Sequence, residues 1–207
     1  MKDQYKHISK WYDKIFEPMN KGLRNTGFKM FNVKPGMNVL EIGCGTGSFL
    51  KMYQKENCSV NGVDLSSAMI EQAEKKLGKN AVLLKESASK LSFEKNQFDL
   101  ILSSTVIHEM SPEIRKEVLR EAKRVLKPDG RILLIDFYPG QIKNFRGFYS
   151  RVAVLIFEML AGRDHFLNYR NFIKSGGLSY LIKSANLETE NQKIVGEGNF
   201  GLYLVKK

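Results

Sequence analysis

Val39-Leu40-Glu41-Ile42-Gly43-Cys44-Gly45-Thr46-Gly47 sets a short apolar run against three closely spaced glycines. With Asn38, the run reads as a short strand that ends in a glycine loop. The glycines let the chain turn tightly and approach a ligand with no side chains in the way. Ser48–Gln54 then reads as the start of a helix, whose first N–H groups lack intrahelical partners. Such an arrangement holds anionic, nucleotide-like groups. The pattern is G-x-G-x-G, and Ser48 stands where the third glycine of G-x-G-x-x-G would be. Alone, the loop is a weak signal.

Asp64 sharpens it. Ser59–Val63 is a second short strand closed by this acid, nineteen residues after Gly45. An acid there can accept hydrogen bonds from both hydroxyls of an unmodified ribose; its other reading is a cap for the helix that follows. Ser66 is a plausible N-cap for a helix to about Leu77, with Gly78 as the stop. Ala81–Lys85 and Phe98–Ser103 are further strands. Ser111-Pro112 opens a helix as cap and first-turn proline, with Ile114, Val118, Ala122 and Val125 on one face. Lys127-Pro128-Asp129-Gly130 is a turn, and Arg131–Phe137 is a fifth strand. Strands alternating with helices predict parallel βαβ units in an α/β sheet.

The ends read differently. Tyr5–Phe31 is predicted helical, with breaks near Pro18 and Gly22. Phe145–Leu160 is predicted to be a helix with apolar residues on most faces, Arg146, Arg151 and Glu158 among them. Glu188–Val195 and Phe200–Val205 form a hairpin around Gly196-Glu197-Gly198-Asn199, closing one sheet edge.

The chain has 207 residues, 43% hydrophobic and 27% charged, which suits one α/β domain over 1–207. Within it, 1–35 is expected to form a helical lid, 36–139 the cofactor-binding core, and 140–207 the substrate wall and hairpin. Met1–Lys10 is polar, so no signal peptide is expected, and no apolar run approaches the ~20 residues of a bilayer span. The two cysteines, Cys44 and Cys58, form no metal-ligand pattern, and neither a metal nor a catalytic thiol is expected. The formal net charge is +11. Residues 1–35 and 140–207 each contribute +5 and the centre +1. Basic flanks suit an anionic membrane, a nucleic acid or an acidic small molecule, or only solubility.

VLEIGCGTG (39–47), VNGVDLS (60–66), FDLILSS (98–104) and EAKRVLKPDGRILLIDF (121–137) together resemble the class I S-adenosylmethionine-dependent methyltransferases. The resemblance implies a Rossmann-like doubly wound seven-stranded sheet, mostly parallel with an antiparallel C-terminal strand, and helices on both faces. It implies S-adenosylmethionine as methyl donor, with S-adenosylhomocysteine as product. Glu41, Gly43 and Gly45 would border its methionine part, with Cys44 and Gly47 also among the cofactor-binding residues, Asp64 would hold the ribose, and Leu65 would lie against the adenine. Ser87-Ala88 would approach the adenine edge, although many relatives have Asp where Ser87 stands. Ser103 would face the methionine end through its backbone, and Met69 is placed with these contacts. Trp11-Tyr12-Asp13 resembles an element that closes over the cofactor in the branch that methylates quinones and lipids; simple packing is its other reading.

Methyl transfer asks mainly for alignment and exclusion of water, and proximity alone supplies about 7–11 kcal/mol. His108, following the fourth strand, is the candidate base, since an unperturbed pKa near 6.5 suits proton removal at about neutral pH. Packing against the Ser111 helix is the alternative. His165, Tyr169 and Arg170, in a segment dense in polar and aromatic groups, are candidates for the acceptor head group. The expected acceptor is a small or lipid-like molecule, a quinone precursor or phospholipid amine. The expected location is cytoplasmic, with peripheral contact with an anionic membrane. Nucleic-acid methylation and cofactor binding without catalysis are the alternatives.

Overall fold

The computed structural model describes Ser9 and residues 11–207, with 15–19 described by backbone alone. Seven strands form one sheet in the order β3-β2-β1-β4-β5-β7-β6. They are β1 (Asn38–Ile42), β2 (Ser59–Asp64), β3 (Ala81–Lys85), β4 (Phe98–Ser104), β5 (Leu126–Phe137), β6 (Glu188–Val195) and β7 (Phe200–Lys206). Strands β1 to β5 pair in parallel, and β7 runs antiparallel to both β5 and β6. Leu100–Ser103 and Ile132–Phe137 are buried residue after residue, so both faces of the central sheet are covered. The fold class is the Rossmann-like one expected. The strand order reverses between β1 and β4, and ligands of open α/β sheets bind at that crevice.

The helices are α1 (Tyr12–Phe28), α2 (Leu50–Lys55), α3 (Ser67–Leu77), α4 (Pro112–Val125), α5 (Phe145–Leu160), α6 (Arg163–Lys174) and α7 (Gly177–Ser184). Ser66 caps α3 by accepting from the Met69 N–H, and Ser111 caps α4 by accepting from the Ile114 N–H. The loop hydroxyl competes well for these orphan donors, which is why both starts are readable in sequence.

Three expectations change. Helix α1 runs through Pro18 and Gly22 without a break. Its Gly27 is seated on β5, where a Cβ would lie 2.7 Å from Ile135 Cδ1, so contact with the sheet outweighs the local helix breakers. Tyr5, the expected helix start, lies outside the described residues. The Lys127–Gly130 turn is absorbed into β5: pairing with β4 jumps from Phe98↔Leu126 to Leu100↔Arg131. Finally, Ile114 of α4 is 37% exposed, while its neighbour Arg115 is 1% exposed. Val118, Ala122 and Val125 are buried as the apolar pattern has it; it fails only at Ile114, because Arg115 is consumed by acceptors the sequence does not show. Its guanidinium donates to the carbonyls of Ile107, His108 and Asn168 and to Asn171 Oδ1.

Candidate active site

The glycine loop turns back on β2. The N–H groups of Gly43 and Cys44 both donate to the Val63 carbonyl, at 2.9 and 3.0 Å. Gly43 has φ +67°, and a Cβ there would collide with Val106 at 2.7 Å. Gly45 has φ +50° with open space before it. Both positions therefore require glycine, one for packing and the other for backbone conformation. Asp64 is clamped beside the loop: Oδ2 accepts from the Gly45 N–H at 2.9 Å and Oδ1 from the Ser66 N–H at 2.8 Å.

A cavity open to solvent lies against the loop. Of the sequence-predicted residues, Tyr12, Glu41, Gly43, Cys44 and Gly45 line it. Ser104 and Thr105 face it where Ser103 was expected; Ser103 is buried, with an unpartnered hydroxyl. Gly47 supports the loop from below, donating its N–H to the Cys44 carbonyl. Met69 is buried in the first turn of α3, and Leu65 is 61% exposed. Ser87 pairs with the Ser89 hydroxyl at 2.9 Å beside buried Ala88.

Glu41 is strongly perturbed in this cavity. Burial pushes its carboxyl up to about 8, against the pull of Arg24, and Oε2 has no hydrogen-bond partner. Burial also raises the Cys44 thiol, with Glu41 and Asp64 adding to it, which makes it an unreactive packing group.

The N-terminal helix supplies residues that sequence reasoning passed over. Asp13 accepts from Thr46 Oγ1 at 2.7 Å and from Lys76 Nζ at 2.5 Å, and Lys76 also reaches Ser48 Oγ. Burial works to raise the Asp13 carboxyl, but these donors hold it below its usual range. Helix α1 is thereby pinned to the glycine loop and to α3. Asn20 and Arg24, two and three turns further on, also line the cavity. Only Asp13 stood in a quoted motif; a lone Asn and Arg on a helix carry no sequence signal.

His108 does not line the cavity. It sits in a 3-10 turn, Ile107–Glu109, after β4, and is 2% exposed. Its Nδ1 is 2.6 Å from Asp136 Oδ1, and its Nε2 is 3.5 Å from Glu158 Oε1. Burial would lower this imidazole, but Asp136 overcomes it and the pKa rises to about 10. The ring is tied to Asp136 instead of facing the cavity, and this partner 28 residues away is one that no local pattern reveals. His165 joins the cluster, with Nε2 3.2 Å from Glu158 Oε2, and burial holds its pKa below the usual value. Tyr169 is buried with its ring edge-on to Phe137 at 5.3 Å. Arg170 parts from the other two acceptor candidates: it is exposed, its guanidinium 5.7 Å over Phe166. One helical turn places residues 165 and 169 on the inward face and 170 on the outward one.

A methyltransferase domain model matches residues 40–134. The chain is 31% identical to the ubiquinone/menaquinone biosynthesis C-methyltransferase UbiE of Rickettsia rickettsii, over 94% of this chain and 87% of the relative. It is 28% identical to the demethylmenaquinone methyltransferase of Thermotoga maritima, over 88% and 89%. Among solved structures, the Burkholderia thailandensis 1,6-didemethyltoxoflavin-N1-methyltransferase, with bound 1,6-didemethyltoxoflavin and S-adenosylhomocysteine, superposes with a TM-score of 0.67 at 17% identity, covering 99% of this chain and 86% of that one. The glycine loop, the clamped acid, the sheet order and these likenesses converge: the chain belongs to the class I S-adenosylmethionine-dependent methyltransferases.

Proposed function

We propose that this methyltransferase acts on a lipid-soluble acceptor of the quinone-precursor class, taken from a membrane surface. The observation that carries the reading is the inverted amphipathicity of α5. Its inward stripe is Gly147, Arg151, Val154 and Glu158, at i, i+4, i+7 and i+11. Arg151 is spent inside, donating to the carbonyls of Tyr138, Gly140 and Gly198 and to Asn199 Oδ1. The outward face instead carries Phe145, Phe148, Tyr149, Leu155, Ile156, Met159 and Leu160, each between 38% and 85% exposed. A contiguous apolar face of this kind marks an interaction surface, and a helix lying in the headgroup region buries such a face. Among the described residues no helix is long and apolar enough to cross a membrane. The quinone methyltransferases among the relatives suggest the same acceptor chemistry.

The cavity fits the methyl donor. The unpartnered, buried Glu41 Oε2 matches a cationic group, and open Gly45 with clamped Asp64 matches a ribose. When bound, S-adenosylmethionine supplies a methyl group made electrophilic by its sulfonium. Asp64 then binds the ribose hydroxyls, Glu41 neutralises positive charge in the methionine pocket, and Tyr12 with the rest of α1 excludes water. In-line positioning of the acceptor is the remaining task, and alignment supplies much of the rate.

The test is flotation on vesicles paired with a transfer assay. Wild type should float with anionic vesicles and methylate a demethylated quinol embedded in them. Phe148→Glu/Ile156→Glu should lose flotation and transfer to the embedded acceptor, yet keep transfer to a short-chain, water-soluble analogue. Wild-type protein that ignores vesicles and instead methylates RNA would overturn the reading.

A further inference from the structure

His108, Glu158 and His165 come from three separate segments: the turn after β4, the inward stripe of α5 and the first turn of α6. One nitrogen or oxygen from each lies within 4.8 Å of the others. The two Glu158 oxygens face one ring each, Oε1 at 3.5 Å from His108 Nε2 and Oε2 at 3.2 Å from His165 Nε2, so a small inward shift would bring all three side chains to one ion. Donors bonded at about 2.0–2.1 Å in a tetrahedral shell stand roughly 3.3–3.4 Å apart.

Two further observations point to a ligand. Glu158 Oε2 and His165 Nε2 are buried polar atoms with no hydrogen-bond partner, although they face each other. Groups so buried are almost always paired, and each exception calls for an explanation such as an ion. Behind His108 stands a carboxylate, Asp136, at 2.6 Å from Nδ1. Asp136 is itself fixed by the backbone N–H groups of His108 and Phe137. A carboxylate on Nδ1 orients the ring and leaves Nε2 to act as the ligand, the usual outer-shell arrangement of metal-bound histidines. Glu109 Oε1 lies 3.9 and 3.5 Å from the two Nε2 atoms, within side-chain reach of a fourth position.

We propose that His108, Glu158 and His165 bind one divalent transition-metal ion, with Asp136 positioning His108 and Glu109 at the edge of the shell. Two imidazoles and a carboxylate are borderline ligands that suit zinc, cobalt or ferrous iron rather than magnesium or calcium. Three protein ligands leave an exchangeable position, as in metal sites that hold water or substrate. The cysteine pattern gave no hint of this site, because its ligands are His and Glu brought together only by folding. The proposal stands independently of the acceptor class.

The experiment uses untagged full-length protein, freed of metal with a chelator and titrated with Co²⁺ and then Zn²⁺. Wild type should bind one equivalent of Co²⁺ with visible d–d absorption, which Zn²⁺ displaces, and its melting temperature should rise with either ion. His165→Ala and Glu158→Gln should abolish the Co²⁺ spectrum while the metal-free variants keep wild-type circular dichroism. Asp136→Asn should weaken Co²⁺ binding by about 10–100-fold. His7→Ala should change nothing. The proposal is overturned if wild type takes up no Co²⁺ and shows no metal-dependent melting shift, or if His165→Ala binds as wild type does, or if His7→Ala removes binding.

Discussion

Asp64 and Glu41 are two acids at one loop with opposite electrostatic lives. Asp64 is oriented beside the loop by two backbone N–H donors. Asp64→Ala should weaken S-adenosylmethionine binding by roughly 10–100-fold, the equivalent of a charge-assisted hydrogen bond of about 1.5–3 kcal/mol. Calorimetry gives the affinity, and an unchanged value would remove Asp64 from the site. Glu41 is buried, and its folded pKa of about 8 lies above its ordinary 4.5. Between those values the native state keeps a proton that the unfolded chain has lost. The contribution of Glu41 to stability is therefore present at low pH, falls as pH rises through this window, and is flat above it. Cofactor-free Glu41→Gln should lack this decline. Melting temperatures compared from pH 5 to 9 should show the variant gaining on wild type by several degrees, since about 1 kcal/mol moves Tm by ~2–4 °C at this size.

At the scale of elements, α1 and α6 are each held by one buried or half-buried charge. Lys76 of α3 links Asp13 of α1 to Thr46 and Ser48 of the loop. Lys76→Met leaves Asp13 without its cation and should raise amide hydrogen exchange across α1 while the β-strands keep their protection. Equal exchange in both proteins would show that the α1 contact rests on Gly27 and β5 instead. Arg115 of α4 satisfies three carbonyls and Asn171, joining the turn that carries His108 to the helix that carries His165. Arg115→Met keeps the volume and orphans those acceptors, so it should cost on the order of 3 kcal/mol in urea unfolding. A loss under ~1 kcal/mol would mean that water replaces the guanidinium.

For the molecule as a whole, the central sheet carries the core. Ile101 and Leu102 on β4 are fully buried. Leu102→Ala should destabilise global unfolding by about 2–5 kcal/mol. The cavity lies where β1 and β4 diverge, while the His108 cluster lies where α5 and α6 meet the turn after β4. Tyr12 stands between them: burial raises its phenol, and the charges of both Glu109 and Asp64 raise it further. The cofactor loop and the His–Glu cluster are thus neighbours through one side chain of α1.

The local sequence determined the sheet. Short apolar runs, helix caps at Ser66 and Ser111, and the glycine loop all act over a few residues, and so the five parallel strands, the hairpin and the loop at the sheet's crevice were legible before any coordinates. The whole of α5 was legible too, but not which way it faces. Only the tertiary structure decided that Arg151 and Glu158 point inward while Phe148 and Ile156 remain outside, that Arg115 replaces Ile114 in the interior, and that His108 meets Asp136 instead of the cavity. The reason is common to all four. An apolar pattern predicts burial from transfer free energy alone, whereas a buried charge is stabilised by partners far along the chain, and those partners exist only once the helices have docked.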